Sequence, residues 1–303
     1  MEGEPVVIAV VNHKGGTAKT TTAVNLAAAL AKGDSEMGIR PRRVLLVDLD
    51  PRGNVATTFG IDKRSLGPTM NELFKGGADE APVPLERCLL NPAQLTVAMS
   101  ASWRRHNPER KRGAPKTNEV RTLWVLPADL DLSGDAIGVA TRIGREHRLR
   151  LALLQARGRF DVVIVDTPPS LGLLTINSLS AAGWVMIPIQ AEFYSLEGMG
   201  QLLAMIKDVQ RTINPNLKMF GIAMTLVQGN SKLGEKVAER ARGYFGDRVF
   251  ETEIPRLVAI AESPLDGAPI VISQKPNKSN PGSTAYWQLA LEASKRIEAI
   301  ERS

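Results

Sequence analysis

Short apolar runs recur along the chain, and each ends on a polar turn or an acid. Val6 to Val11, Val44 to Val47, the stretch from Phe160 to Asp166, Trp184 to Gln190 and Phe220 to Val227 carry apolar residues without polar alternation. That is the pattern of parallel strands covered on both faces. Leu123 to Leu132 reads as a further strand running into a turn. Helical spacing fills the gaps. Thr20 to Leu30 has Val24, Leu26, Ala27 and Leu30 as apolar positions. Met70 to Phe74 is a short helix behind a Thr69 cap, and the prolines at 82, 84 and 92 break up the rest of 60–98. Ile137 to Arg157 reads as one helix with Arg142, Arg145, Arg148 and Arg150 exposed. In Ser231 to Phe245, Leu233, Val237, Ala241 and Phe245 form a core face, and Lys232, Lys236 and Arg240 a basic stripe. Thr284 to Arg302 closes the chain as a helix. Alternating strands and helices predict an α/β fold: one doubly wound domain over 1–303 with a mainly parallel sheet flanked by helices.

The chemistry concentrates where the first strand meets the first helix. A strand, a Gly-bearing turn and a helix start form a cradle for phosphate, because backbone N–H groups converge there and the helix end adds positive potential. The turn reads Lys14-Gly15-Gly16-Thr17-Ala18-Lys19-Thr20-Thr21. The glycines let the backbone approach an anion closely. Lys19 can reach β- and γ-phosphates, and the Thr20 hydroxyl is placed to ligate Mg²⁺. The ordinary P-loop pattern fails, because His13 holds its first glycine position and Ala18 precedes the lysine. Asp48 and Asp50 end the second strand on one side of it, where open α/β sheets bind ligands. Asp48 suits a Mg²⁺ shell through water, and Asp50 suits orienting an attacking water or capping a helix. Asp166 fits the acid that faces Mg²⁺ through water at the end of a strand.

The front lysine of that loop resembles the deviant Walker A motif of the ParA/MinD ATPases. Val47-Asp-Leu-Asp-Pro-Arg-Gly-Asn54 is similar to the ParA/Soj signature, in which glutamine usually stands where this chain has Arg52. Asp166-Thr-Pro-Pro-Ser-Leu-Gly172 and Ile260-Ala-Glu-Ser-Pro-Leu-Asp-Gly-Ala-Pro-Ile270 extend the likeness over about residues 6 to 300. The resemblance implies a P-loop fold, ATP and Mg²⁺ as nucleotide and cofactor, and weak ATP hydrolysis that needs Asp50. It implies an ATP-dependent homodimer in which Lys14 reaches the partner subunit's phosphates. It further implies non-specific DNA binding, a ParB-like activating protein, and segregation of plasmid or chromosome on the nucleoid. Pro255 and Arg256 lie near the adenine in such relatives. The places of the family's DNA-contacting arginines hold Gly229, Asn230, Ser231 and Ala259 here. Lys232, Lys236, Arg240, Arg256, Lys275 and Lys278 are the candidates to replace them.

Charge adds one feature. Residues 101–121 hold seven basic side chains against two acids, a local +5 in a chain whose net charge is +6. Two prolines and a glycine make this stretch read as an inserted loop, either a nucleic-acid contact or a solvated surface. Cys88 is the single cysteine. It excludes an internal disulfide, and with it a reductase whose cluster needs bridging thiolates. No run approaches the roughly 18 apolar residues of a membrane helix. Met1 to Pro5 is acidic and leads straight into a strand, so no signal peptide and a cytoplasmic site are expected. The last helix lacks the basic amphipathic character of a MinD-like membrane anchor. The same ATPase mechanism positioning a protein cargo, and an amide-forming synthetase sharing the loop, are the other readings.

Overall fold

The computed structural model describes residues 3–75, 83–108, 119–192, 199–228 and 232–303. Its centre is a seven-stranded sheet: β1 (Val6–Val10), β2 (Val44–Asp48), β3 (Leu123–Leu126), β4 (Val162–Asp166), β5 (Trp184–Gln190), β6 (Lys218–Val227) and β7 (Val249–Pro255). The strands lie in the order β3-β2-β4-β1-β5-β6-β7, and every pairing between them is parallel.

The inner strands β1, β2 and β4 bury both faces, as their unbroken apolar sequences require, whereas β7 at the sheet edge leaves Glu251 exposed. Ile8, Val10, Val44, Leu46, Val162 and Ile164 join one core with Leu26, Leu30, Tyr286 and Trp287. Those partners come from α1 (Lys19–Lys32) and the C-terminal helix Pro281–Glu301. On the opposite face, Leu45, Val47, Val163 and Val165 pack with Leu149, Leu153 and Leu174. Alternate residues of β2 and β4 thus point to opposite layers, the period of two that an extended chain imposes. Cys88 is buried in that second layer, where desolvation pushes its thiol up to about 11.

Two expectations need correction. The basic stretch 101–121 does not begin as a loop. Its first six residues are the end of α2 (Pro92–His106). Pro92 starts this helix rather than breaking it: a proline at the first turn loses no hydrogen bond. Asn91 accepts the backbone N–H groups of Ala93 and Gln94, while the Gln94 side chain accepts the Asn91 N–H, a reciprocal cap. Leu95, Met99 and Trp103, four residues apart, are buried, and Arg104, Arg105 and His106 occupy the last turn, where cations suit the helix dipole. Residues 109–118 lie outside the described residues.

Nor is 137–157 one helix. It divides into α3 (Asp131–Gly138), which starts earlier, and α4 (Arg148–Leu153), with 3₁₀ turns at Arg145–His147 and Leu154–Ala156. Gly144 turns the chain at φ 71°. Asn177, on α5 (Leu173–Ala181), accepts the Leu149 N–H and donates to the Arg145 carbonyl. A side chain from a distant helix therefore caps the new start.

Candidate functional site

The parallel register brings the loop and the acids together. Val10 pairs with Asp166 across β1 and β4, and Asp48 pairs with Asp166 across β2 and β4. The turn after β1 thus rises beside both carboxylates at the C-terminal edge of the sheet.

Lys14 to Thr21 form this turn and the start of α1. Gly16 and Ala18 take left-handed backbone angles, φ 76° and φ 60°. For Ala18 this is uncommon and costs strain, which neighbouring strands hold in place. Gln190 Nε2 donates to the Gly16 carbonyl at 2.6 Å, and the Thr225 hydroxyl to the Thr17 carbonyl at 3.2 Å. The Asn12 side chain donates to the Pro188 carbonyl at 2.7 Å and accepts the Lys14 N–H at 3.1 Å. A Cβ at Gly15 would meet nothing within 4 Å, so open space lies over the loop.

The two lysines of the loop point to different places. Lys19 is buried, and its ammonium turns back to donate to the Lys14 carbonyl at 3.1 Å. Burial lowers its pKa, while Asp166 and Asp50 pull the other way. Lys14 is exposed and pairs with Glu192 at 2.9 Å, a surface contact worth little. Thr17 is buried, whereas Thr20 and Thr21 are half-buried at the helix start.

The three acids differ in their partners. Asp48 is anchored: Oδ1 accepts the Asp50 N–H at 2.9 Å and Oδ2 the Val55 N–H at 3.2 Å. Desolvation, then Asp166, raises its pKa well above the usual carboxylate range. Asp166 is fully buried, and neither of its oxygens completes a hydrogen bond among the described residues. Desolvation pushes its pKa up to about 7; the nearby Thr20 hydroxyl pulls the other way, and Asp50 pushes further. An unpaired buried carboxylate beside a threonine hydroxyl, with a second carboxylate in register, fits a hard cation with oxygen ligands. Asp50 is almost fully buried and is gripped by Arg52, whose Nη2 lies 2.6 Å from Oδ2. Sequence spacing did not disclose that grip, nor the supporting roles of Asn12, Gln190 and Thr225, polar residues at strand ends.

The remaining candidates are dispersed. Pro255 and Lys278 line one cavity of about 680 Å³ with Val227, Asn277, Pro281 and Thr284. Arg256 and Lys275 are exposed, as are Lys236 and Arg240 on the helix Lys232–Phe245. Acids interleave with that stripe, since Glu235 and Glu239 are exposed directly before Lys236 and Arg240. The Lys232 side chain and residues 229–231 lie outside what is described.

A family model described as AAA domain matches residues 6–219. The chain is 38% identical over 290 residues to the chromosome partitioning protein ParA of Myxococcus xanthus, covering 96% of this chain and 88% of that one. The chain belongs to the ParA/Soj family of ATPases. Soj of Bacillus subtilis, the sporulation initiation inhibitor protein, is 36% identical, with 94% of this chain and 97% of Soj covered. Among solved structures, a cobyrinic acid a,c-diamide synthase from Mycobacterium smegmatis with bound ATP analogue and magnesium is 33% identical (TM-score 0.69), with coverage of 95% of this chain and 93% of that one. McdA of Cyanothece, in a complex with ATP, is 18% identical with a TM-score of 0.73 over 98% of this chain and 97% of McdA; that likeness concerns the fold. No helix among the described residues is long and apolar enough to cross a membrane.

Proposed function

We propose that this member of the ParA/Soj family is an ATP-driven partition switch. It binds ATP with Mg²⁺, closes as a homodimer, binds DNA without sequence preference and is reset by hydrolysis under a ParB-like partner on the nucleoid. The observation that carries this reading is the divergence of the two loop lysines: Lys19 faces inward and Lys14 outward.

Gly15 to Thr21 supply backbone N–H groups to the phosphates, and Lys19 supplies a fixed positive charge. The Thr20 hydroxyl, and Asp48 and Asp166 through water, would hold Mg²⁺, which would supply charge neutralisation at the phosphates. Asp50 orients the attacking water. Lys14 leaves Glu192 and stabilises charge on the other subunit's nucleotide, a trans contribution to phosphoryl transfer. Pro255 and Arg256 border the base. Two closed subunits sum their exposed cations against DNA phosphate.

Binding to non-specific duplex DNA, measured with ATP, ADP and no nucleotide in the Asp50→Ala protein, tests the reading. Binding only with ATP, weakening steeply with salt, is expected. Lys14→Ala should keep ATP affinity within a few-fold and lose both dimer and DNA. ATP-bound dimers that ignore DNA at low salt would favour a protein cargo instead. Amide formation from a carboxylic acid substrate would favour the synthetase reading that the mycobacterial relative's name raises.

A further inference from the structure

We propose that Arg52 is a positioning residue that restrains hydrolysis by holding the Asp50 carboxylate in the resting protein. This rests on the assignment of Asp50 as the group that orients the attacking water.

Among the described residues, Arg52 alone fills both Asp50 oxygens. Oδ1 accepts its backbone N–H and its Nε, both at 3.1 Å. Oδ2 accepts Nε at 3.1 Å and Nη2 at 2.6 Å. The turn that presents Arg52 is fixed. Gly53 donates its N–H to the Asp50 carbonyl at 2.8 Å and sits at φ 62°, where a Cβ would press on the Ala128 carbonyl. Lys63 Nζ donates to the Arg52 carbonyl. The pair therefore opens through the Arg52 side chain alone, and that side chain has room, being 58% exposed against 3% for Asp50.

In hydrolysis a water oxygen bonds the terminal phosphorus as the bond from that phosphorus to the bridging oxygen breaks, and a water hydrogen needs an acceptor. An oxygen already taking two hydrogen bonds from a cationic residue is a poor one. While the pair stands, Asp50 is present but engaged. When the Arg52 side chain swings out, Asp50 Oδ2 becomes available without any backbone movement, while Oδ1 keeps the Arg52 backbone N–H. The ATP state then lasts as long as Arg52 stays home.

The test uses Arg52→Gln, Arg52→Lys, Asp50→Ala, Asp50→Asn and the double variant Asp50→Asn/Arg52→Gln in the full chain. In single-turnover hydrolysis, Arg52→Gln should be about tenfold faster, about 1.4 kcal/mol in barrier, with affinity for a non-hydrolysable ATP analogue within about twofold. Arg52→Lys, a point charge without the planar fork, should fall between. A second readout needs no nucleotide. The Tm of Asp50→Asn/Arg52→Gln should lie about 2 °C above the additive expectation from the single variants, since the pair can be lost only once. An Arg52→Gln rate at or below the unaltered protein's, or additive Tm shifts, would overturn the proposal. Full hydrolysis by Asp50→Ala would instead remove the Asp50 assignment, and the Tm cycle would still report whether Arg52 holds that carboxylate.

Discussion

Asp166 is a residue folded at a cost to itself. It is buried, its oxygens complete no hydrogen bond among the described residues, and Asp48 lies opposite it in register. Burying a charge is unfavourable, and Thr20 and Lys19 offset that cost only in part, since the carboxyl pKa stays raised; a bound cation would relieve the rest. Asp166→Asn should raise the nucleotide-free Tm by about 3 °C and abolish any tightening of nucleotide binding by Mg²⁺. Thermal melts with and without nucleotide and Mg²⁺ check both parts; a variant that melts lower without nucleotide would refute the argument. Asp48 should behave differently, because its two oxygens hold backbone N–H groups at the turn after β2. The sequence placed both acids at strand ends and could not distinguish them, since their difference lies in which neighbours donate to them.

At the scale of elements, Asp161 ties the starts of two strands together. Its carboxylate accepts the Arg43 N–H at 2.7 Å and two guanidinium contacts at 3.2 and 2.7 Å. Partial burial alone would raise its pKa, but the Arg43 contacts prevail and leave it lowered. A lowered carboxylate pKa means stability present above the unfolded value and lost as pH falls through the folded one. Asp161→Asn should cost about 1 kcal/mol at pH 7, a figure already discounted for solvent screening, and the difference should shrink as pH falls below the unfolded carboxylate value of about 3.9. Urea midpoints of the two proteins across pH would show it. The strands themselves were legible, because unbroken apolar runs such as Val44 to Val47 have one stable use, in a parallel sheet covered by helices on both faces. The helices were less so. Pro92 looked like a breaker because its role depends on Asn91 and Gln94 around it, and the division near Gly144 depends on Asn177, far off in the chain. The loop motif was legible down to Lys14 and Lys19, yet their opposite orientations were not, since Glu192 and the Lys14 carbonyl come into play only in three dimensions.

For the whole molecule, the order of the strands sets a timetable for its synthesis. β1, with the loop of residues 14–21 behind it, is made before the other strands, but both of its neighbours in the sheet, β4 and β5, come after residue 160. At ordinary translation rates that gap lasts about ten to thirty seconds. Through it, an apolar strand and the loop behind it lack the partners that bury one and brace the other. A nascent chain stalled near residue 150 should be cleaved readily by protease within residues 6 to 30, and the released full-length chain should resist there. The place where nucleotide would bind is thus encoded well ahead of the strands that flank it, and a cell making this protein holds that apolar strand without its partners until β4 and β5 are made.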